Sequence, residues 1–553
     1  MRGSDTSGRN REALTGLLTA GLALAVGEFG AGVSRSLVSP VAAVGDLIVD
    51  RAPGSVVRTS IRLLGTAQKP LLLAGIVLCA LGLGALLARR SPADLRMGLF
   101  GFGLFGGWAM ARAPLASETG SWLLATGMVV VGLIGLGLRP GFPVSDPADG
   151  SPGGPSHEDP RIKYADRRGF LAYAGGMGGT AVGLLAAGRL VEDRSARELR
   201  ARVQIPSTTV PDTTVPDTTA ADTTAADTTV PDTTAPTTVP ELPDVPGLDP
   251  WITPNHDFYR IDTALTVPVI DPATWSLGIS GLVRREVSIG FDDLLDMEVH
   301  DATVTLACVS NEVGGPLVGN AVWTGVLLAD VLALADPQPA AEQVMAWSVD
   351  GFSAGFPLDA ALDGRTALVA FGMNGEPLPL EHGFPVRLVV PGLYGYVSAV
   401  KWLFRLELTD WSDKGYWIPR GWAQEAPVKI SSRIDVPFPR RVPAGIVPLA
   451  GVAWYPDVGV AAVEVSIDDG RWRECELLDA KQGGEQGRPA PGRRGESWVQ
   501  WLRLWEATPG NYKVRVRAIG TDGTVQSGAR LRPAPDGAEG YHEVGVIVEE
   551  AGS

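Results

Sequence analysis

The sequence MNGEPLPLEHGFPVRLVVPG occupies residues 373–392 and decides the fold of the second half of the chain. Strands are predicted at Thr366–Met373 and Val386–Val390, and turns rich in glycine and proline separate them. The second strand carries Arg387, whose guanidinium suits a bidentate grip on a phosphate. Taken alone, the same residues are also typical of a surface turn followed by a solvated strand end. The surrounding motifs have to decide between these two interpretations.

The segment LACVSNE, residues 306–312, places Cys308 at the end of a predicted strand and before a loop. A lone thiol in that position can hold a soft metal or act as a nucleophile. A free cysteine is otherwise most often a small buried hydrophobe, and the segment alone leaves that alternative open. The three cysteines of the chain, Cys79, Cys308 and Cys475, are spaced too widely for a disulfide framework or a zinc motif.

Further motifs follow one another between about residues 250 and 425: NHDFYR at 255–260, GNAVWTGV at 319–326, YG at 394–395 and AVKWL at 399–403. Short helices are predicted at Phe291–Leu295 and Val326–Leu334, and another strand at Gln343–Ser348. Mixed strands, short helices and many glycine turns together predict a compact α+β domain over residues 248–425.

This series of motifs resembles the sulfite oxidase family of molybdopterin enzymes, over about residues 250–545. The resemblance implies a molybdenum–molybdopterin (Mo-MPT) cofactor, with Cys308 as the one protein thiolate on the metal, and a soft thiolate suits molybdenum. His382, Arg387 and Lys401 would hold the pterin phosphate and ring system. The full set of cofactor residues that the resemblance implies is Asn255, His256, Tyr259, Arg260, Cys308, Asp350, His382, Arg387, Ala399, Val400 and Lys401.

Three departures from the family pattern bear on the substrate. After Asn311 the family has arginines that help to bind an anionic substrate, and here Glu312 and Val313 follow. Arg260 is displaced by one position, and Phe352 stands where the family has a tyrosine on the substrate side. A pocket with less positive charge and an added glutamate should bind a dianion less well, so the substrate need not be sulfite.

The chain has 553 residues, enough for several domains, and a net charge of −15 at pH 7. Its lysines and arginines form no basic run, so we expect no nucleic-acid partner. The first 190 residues are very apolar, whereas the remainder has the composition of an ordinary soluble protein.

Residues 1–195 are predicted to form a membrane anchor of about five helices, because a bilayer crossing needs about 20 apolar residues. Basic residues before the first, third and fifth runs place the N-terminus in the cytoplasm and the chain after about residue 190 outside it. Arg35, Arg51, Arg58 and Arg62 oppose this assignment unless their loop lies along the membrane surface. The apolar runs are Ala13–Gly32, Leu71–Leu87, Met97–Ala111, Ser121–Leu138 and Phe170–Leu190.

The segment RRGFL at 167–171 resembles a twin-arginine export signal, although an ordinary cytoplasmic basic cluster is the alternative. That pathway exports folded proteins, often around a cofactor. The first histidine is His157 and no Cys-x-x-Cys-His occurs, so we predict no haem in this chain. The electron carrier would then be an external protein, either a cytochrome or a quinone-linked protein.

Residues 196–247 repeat Val-Pro-Asp-Thr-Thr and related units, which predicts a disordered Thr/Pro/Asp-rich stalk. Residues 426–553 show short alternating strands separated by turns such as DDG at 468–470 and TDG at 521–523. This pattern predicts an all-β sandwich. The resemblance implies an immunoglobulin-like dimerisation domain here, and therefore a possible homodimer.

The preferred interpretation is a multi-pass cell-membrane protein whose extracytoplasmic part is a molybdenum oxidoreductase. It would transfer an oxygen atom to or from a small-molecule substrate, with Cys308, Arg260 and Phe352 as candidate catalytic residues. One alternative is a sulfoxide or N-oxide reductase on the same fold. A second is a stalked surface protein that binds a partner on a cofactor-free scaffold and catalyses nothing.

Overall fold

The computed structural model describes residues 4–34, 36–64, 67–113, 116–139, 160–206, 245–478 and 495–550. The described residues up to 206 are almost entirely helical, and we call them the helical part. Its helices are α1 (Ser4–Val33), α2 (Pro40–Arg51), α3 (Gly54–Leu64), α4 (Gln68–Arg90), α5 (Pro92–Met110), α6 (Glu118–Gly137) and α7 (Pro160–Arg202).

Four segments of the described helices are long and apolar enough to cross a membrane: Arg9–Val33, Gln68–Arg90, Glu118–Gly137 and Arg168–Arg202. The predicted run Met97–Ala111 falls in α5, which is helical but is not among the four. Asp94 and Arg96 in the first turns of α5 lower its apolarity. By length and composition, the described residues therefore supply four candidate spans where the sequence predicts about five.

Glycines let the helices of the helical part approach one another closely, as is usual where two apolar helices pack. A Cβ on Gly32 of α1 would lie 2.6 Å from the carbonyl oxygen of Gly188 in α7. A Cβ on Gly107 of α5 would lie 2.7 Å from the ring of Trp122 at the start of α6. These contacts pack α1 against α7 and make α5 and α6 an antiparallel pair.

The central part, which begins at residue 245, is built from two sheets and several short helices. One sheet has the strand order β2-β1-β10-β5-β6, with β1 and β10 parallel, and the other has the order β3-β4-β7-β8, with β9 beside β7. The elements are β1 (Ser276–Gly281), β2 (Val287–Gly290), α8 (Phe291–Leu295), β3 (Val299–Ala307), β4 (Val318–Leu327), α9 (Leu328–Ala333), β5 (Gln343–Ser348), β6 (Ser353–Pro357), α10 (Asp359–Leu362), β7 (Leu368–Met373), β8 (Glu376–Pro377), β9 (Arg387–Val389), α11 (Gly395–Ser398) and β10 (Leu403–Thr409).

The predicted α+β architecture of the central part agrees with these elements. The helix Phe291–Leu295 and the strand Gln343–Ser348 are confirmed residue for residue. The helix predicted from Val326 begins only at Leu328, because β4 continues to Leu327 in register with β7. The strands matter for the site because β3 ends directly before Cys308 and β9 begins at Arg387.

The C-terminal part consists of two sheets that share one core, as in a β-sandwich. Their strand orders are β11-β13-β17-β16 and β12-β19-β18-β14-β15, and the core between them includes Leu449, Val463, Trp501, Val516 and Val546. The strands are β11 (Ser431–Val436), β12 (Arg441–Pro443), β13 (Gly445–Trp454), β14 (Val460–Ile467), β15 (Arg473–Glu474), β16 (Glu476–Leu478), β17 (Val499–Ala507), β18 (Gly510–Gly520) and β19 (His542–Glu549).

The helical part contacts the central part directly. Leu199 near the end of α7 is 2% exposed and belongs to the same core cluster as Phe258 and Trp323. Arg200 donates hydrogen bonds to the carbonyl oxygen of Pro377 at 3.0 and 2.9 Å and pairs with Glu376 at 2.5 Å. Most of the predicted stalk, residues 207–244, lies outside the described residues, and the two parts that it connects are in contact.

Candidate cofactor site

Cys308 follows the last residue of β3 and is held in a closed loop. Its amide donates to the carbonyl oxygen of Leu317 at 2.9 Å, and its carbonyl oxygen accepts from the amide of Asn311 at 3.0 Å. The Asn311 side chain closes the loop by accepting from the Leu317 amide at 2.9 Å. The thiol is buried, 2.9 Å from the Ser310 hydroxyl, and burial raises its pKa. A thiol whose pKa is raised by burial becomes a thiolate most readily when it binds a metal cation.

Arg387 is a buried cation with an unusual set of partners. It is 3% exposed, it donates to the carbonyl oxygens of His382 at 3.1 Å and Leu388 at 3.3 Å, and it lies over the Trp323 ring at 4.7 Å. Burial lowers its pKa to about 10. Among the described residues, no carboxylate forms an ion pair with Arg387. A buried charge without a counter-charge is costly, so an anionic ligand is the partner that would offset that cost.

His382 ends a short 3-10 turn, Leu380–His382, that Gly383 terminates with a φ of 111°. The imidazole Nε2 lies 3.0 Å from the carbonyl oxygen of Asn255, whereas Nδ1 is buried and has no hydrogen-bond partner among the described residues. Burial, followed by the charges of Arg387 and Lys401, lowers the pKa of His382 to about 4. The imidazole is therefore neutral at pH 7, and one buried nitrogen remains available to a ligand.

Lys401 differs from Arg387 because a carboxylate faces it. Its Nζ donates to Asp262 Oδ2 at 3.1 Å and to the carbonyl oxygen of Glu381 at 2.8 Å. Burial lowers the pKa of Lys401 to about 8, although Asp262 opposes that shift. Asp262 also accepts from Arg260 at 2.8 Å and from Lys69 of α4 at 2.6 Å.

Asp262 is thus the centre of an ion-pair cluster, with 5% of its side chain exposed. Burial alone would raise its pKa, but the charge of Lys401 and the hydrogen bonds from Arg260 and Lys69 lower it well below its usual range. The sequence interpretation missed both Asp262 and Lys69. The available signal was weak, because Asp262 simply follows Arg260 by two residues and Lys69 lies 193 residues away.

A cavity of about 580 Å³ brings together several of the predicted residues, and its size is in the usual range for small-molecule sites. Asn255, His256, Arg260 and His382 all line it. Asn255 is fixed by hydrogen bonds with Asn374 at 2.8 Å and with the carbonyl oxygen of Met373 at 3.3 Å. The opening motif and the residue 373–392 stretch therefore lie together around one cavity.

Tyr259 is the neighbour of Phe258, which lines this cavity. Its ring stacks on Phe258 at 5.2 Å, and a Cβ on Gly395 would lie 3.9 Å from the Tyr259 hydroxyl and 4.0 Å from the carbonyl oxygen of Ala307. Burial, and next the neighbouring Cys308, raise the pKa of Tyr259 far above its usual range, while Arg387 opposes the shift. Tyr259 is therefore close enough to both the thiol and the buried guanidinium to be affected by each.

The remaining predicted residues lie outside the lining of this cavity, and these are Tyr259, Cys308, Asp350, Phe352, Arg387, Ala399, Val400 and Lys401. Asp350 accepts hydrogen bonds from Thr263 Oγ1 at 2.9 Å and from the Phe352 amide at 3.1 Å, and the Phe352 ring lies 5.8 Å from that of Tyr416. Ala399 and Val400 pack into the cores, and the Val400 carbonyl accepts from the Leu388 amide at 2.8 Å. These last two residues position the ends of β9 and the loop that carries Lys401.

Glu312 lies with Cys308 on a second, smaller pocket of about 20 Å³ between the cysteine loop and the C-terminal part. Its side chain is exposed. Tyr394, Ser432 and Gln526 are among the other lining residues. A carboxylate therefore stands on the approach to the thiol, where the family pattern would supply positive charge.

The donor set fits a molybdopterin with its metal: a soft thiol, a buried arginine without a carboxylate partner, and a neutral imidazole with a free buried nitrogen. Arginine and lysine side chains suit the phosphate, and a thiolate suits the metal. Cys308, Arg387, Lys401 and His382 are all less than about one-tenth exposed, so the site is largely closed to water.

Comparisons with known proteins support a molybdopterin cofactor. Residues 264–417 match the model of the "Oxidoreductase molybdopterin binding domain". Mitochondrial sulfite oxidase of Macaca fascicularis is 33% identical over 301 residues, which is 46% of this chain and 52% of that protein. This chain thus spans about half the length of the curated sulfite oxidases it matches.

Two further matches differ in how much of the relative is covered. The uncharacterized oxidoreductase YuiH of Bacillus subtilis (strain 168) is 34% identical over 152 residues, 28% of this chain and 74% of that protein. The crystal structure of the sulfane dehydrogenase SoxCD from Paracoccus pantotrophus covers 54% of this chain and 82% of that chain, at 23% identity and a TM-score of 0.46. On the sequence matches, this chain belongs to the sulfite oxidase family of molybdopterin-binding oxidoreductases.

Proposed function

We propose that the chain is a membrane-anchored oxidoreductase that uses Mo-MPT to transfer an oxygen atom to or from a small substrate. The observation that carries the proposal is Arg387, a buried guanidinium that pairs with no carboxylate of the described residues. The unpartnered Nδ1 of His382 lies in the same site. Both features are costly in an empty protein and become favourable with an anionic, hydrogen-bonding cofactor in place.

The roles of the individual residues follow from where they lie. Cys308 would bind the molybdenum through its thiolate, with Tyr259 close to both that thiolate and Arg387. Arg387 and Lys401 would hold the phosphate, with Asp262 fixing the ammonium of Lys401. Asn255, His256, Arg260 and His382 would contact the pterin along the cavity wall.

When bound, Mo-MPT supplies two-electron chemistry coupled to the gain or loss of an oxygen atom by the substrate. The chain contributes binding, orientation and exclusion of water. The cysteine loop fixes the thiol through its hydrogen bonds to Leu317 and Asn311, so the metal position is set by backbone geometry.

The substrate side favours a molecule less charged than sulfite. Glu312 is exposed beside Cys308, and Phe352 packs near Tyr416, whose ring also carries the Arg420 guanidinium at 3.7 Å. A carboxylate on the approach repels a dianion, which favours an uncharged substrate over sulfite. A sulfoxide or N-oxide reductase is therefore a second candidate function.

The contacts of the helical part support an extracytoplasmic location. Lys69 at the start of α4 and Arg200 at the end of α7 both contact the central part, so these two helix ends lie on its side. Arg89 and Arg90 end α4 at the opposite side. By the positive-inside rule that opposite side is cytoplasmic. The antiparallel run of α5 between α4 and α6 adds a fifth crossing to the four apolar spans.

Two partners complete the proposal. An external protein, a cytochrome or quinone-linked carrier, would exchange electrons one at a time with the site. The C-terminal sandwich would be an immunoglobulin-like domain of the kind that forms homodimers, and the domain boundaries would follow the three parts at about residues 248 and 426. The twin-arginine segment at 167–171 would direct export of the folded protein.

The test is to purify the full chain in detergent and measure molybdenum by mass spectrometry and pterin by fluorescence after oxidation. The loaded protein is then assayed with sulfite and with a panel of S- and N-oxides, using artificial electron carriers. We expect about one pterin and one molybdenum per chain. A chain that contains neither when its host makes the cofactor would support the non-enzymatic surface protein instead.

A further inference from the structure

The last turns of α7 carry a stripe of residues that faces the central part. Arg189, Glu192, Asp193 and Ala196 all line the 580 Å³ cavity, at a spacing that places them on one helix face. The stripe continues through Leu199 and Arg200, which contact the central part. One face of α7 therefore first forms a wall of the cavity and then packs into the fold.

The length of α7 explains how a membrane helix reaches this cavity. Its candidate span covers 35 residues, Arg168–Arg202, whereas crossing a bilayer takes about 20. From Arg189 onwards the helix is rich in charged residues, and its remaining residues extend about 20 Å beyond the bilayer. This extension is what meets the central part.

The extension is packed and does not lie free in water. Ala196 is 3% exposed and Leu199 is 2% exposed. Val203 and Ile205 pack against the cores of the central part, and a Cβ on Gly372 would lie 2.7 Å from Ile205 Cδ1. Arg200 adds its two hydrogen bonds to Pro377 and its ion pair with Glu376, both in the segment that leads to His382.

We propose that this face of α7 closes the cofactor cavity, so that the helical part is a component of the cofactor site and not an anchor alone. The inference rests on the proposed function, because it assumes that the cavity holds the pterin. The sequence expectation was an anchor joined to the catalytic part only by a stalk. The structure places the anchor's own helix opposite Asn255 and His382.

The charged residues that line the cavity affect how an anionic cofactor enters and leaves it. Glu192 and Asp193 of α7, with Glu381 of the central part, place carboxylates around the cavity, against the cations Arg189 and Arg260. An anionic cofactor must pass these carboxylates when α7 is docked, so both entry and release are slow. The cofactor would therefore be inserted before α7 docks, and docking would retain it.

The test compares two arginines of α7 in the full chain. Arg200→Ala removes the contacts to Glu376 and Pro377. Arg194→Ala is the matched control, because Arg194 is exposed and pairs with Glu198 on its own helix at 2.8 Å. Loaded proteins are diluted into buffer, and the pterin that remains bound is measured by fluorescence over time.

We expect pterin release about tenfold faster for Arg200→Ala than for wild type, since charge-assisted hydrogen bonds contribute enough to change a rate by about that factor. Arg194→Ala should release pterin at the wild-type rate. Equal release from all three proteins would overturn the closing role. A wild-type protein that contains no pterin would contradict the proposed function itself, so the two failures are distinguishable.

A second measurement covers the case in which Arg200→Ala folds poorly. A protease site inserted within residues 207–244 of the otherwise unchanged chain allows the connection to be cut after folding. We expect the cut central part to stay bound to the helical part with its pterin retained, and added salt to weaken both together. A central part that separates on cutting and still keeps its pterin would contradict the closure of the cavity by α7.

Discussion

Arg387 and Lys401 are two buried cations of one site, and they are stabilised in opposite ways. Arg387 has backbone carbonyls and an aromatic ring as its neighbours, whereas Lys401 has the carboxylate of Asp262. Both are less than 10% exposed. Lys401 belongs to an ion-pair cluster that the protein itself completes, through the carboxylate of Asp262. We propose that the partner of Arg387 is instead the anionic cofactor.

The largest expected effect on stability comes from breaking the ion-pair cluster around Asp262. Asp262→Ala leaves Lys401 buried without its counter-charge, which costs about 3–5 kcal/mol in a protein interior. We expect the free energy of unfolding of the cofactor-free protein to fall by that amount in chemical denaturation. Asp257→Ala is the matched control, because Asp257 is 63% exposed and lies 3.2 Å from His256, which is also exposed. A loss no larger than that of the control would contradict the role of Asp262.

The second prediction is an increase in the free energy of unfolding of the cofactor-free protein. Arg387→Met removes a buried charge that no carboxylate compensates, so the cofactor-free protein should become more stable, by about 1–4 kcal/mol. The same variant should lose its pterin. Arg405→Met is the control, since Arg405 also lies over a tryptophan ring, Trp347 at 4.4 Å, but is 40% exposed. Destabilisation of the cofactor-free protein by Arg387→Met would show that this cation is stabilised without a ligand.

The pH dependence of His382 gives a smaller effect. Its pKa is lowered to about 4 in the folded protein, so its contribution to stability is fully present above the unfolded value of about 6.5 and is lost as the pH falls through about 4. His382→Gln should flatten the stability curve between those pH values by up to about 3 kcal/mol. His256→Gln, in which the replaced side chain is 82% exposed, is the matched control. Identical curves for wild type and His382→Gln would refute the burial of a neutral imidazole.

The sequence predicts Arg387 and His382 as cofactor residues, but it does not predict the ion-pair cluster around Asp262. Arg387 and His382 lie in one contiguous motif, and the strand that carries Arg387 follows directly from its apolar residues. The role of Asp262 depends on its hydrogen bonds with Lys401 and Lys69, which lie 139 and 193 residues away. No local pattern encodes contacts at that separation.

The same limit applies to the helices. The apolar runs predict helices because apolar composition and length are local properties. All five runs lie in helices of the described residues, and four of these helices are long and apolar enough to cross a membrane. The end of α7 reads as an ordinary polar helix end, with charged residues in every turn. The face of α7 that packs can be identified only in the folded structure, where Phe258 and Trp323 lie beside Leu199. From the sequence, either face of a charged helix can be the one exposed to solvent. The predicted stalk suggested separation of the two parts, and only the folded contacts show that they meet.

The smallest expected effect concerns Lys69, the outer member of the ion-pair cluster. Its side chain is 35% exposed, and it donates to Asp262 and to the carbonyl oxygen of Ala264 at 2.8 Å. Solvent screens a partly exposed pair, so Lys69→Ala should cost about 1 kcal/mol or less in stability. The loss should shrink further at high salt, whereas the loss caused by Asp262→Ala should not. Lys513→Ala, which breaks the exposed pair with Asp469 in the C-terminal part, sets the scale for a surface pair. If Lys69→Ala were as costly as Asp262→Ala, the cluster would depend on the helical part for its stability, and Lys401 would not be compensated within the central part alone.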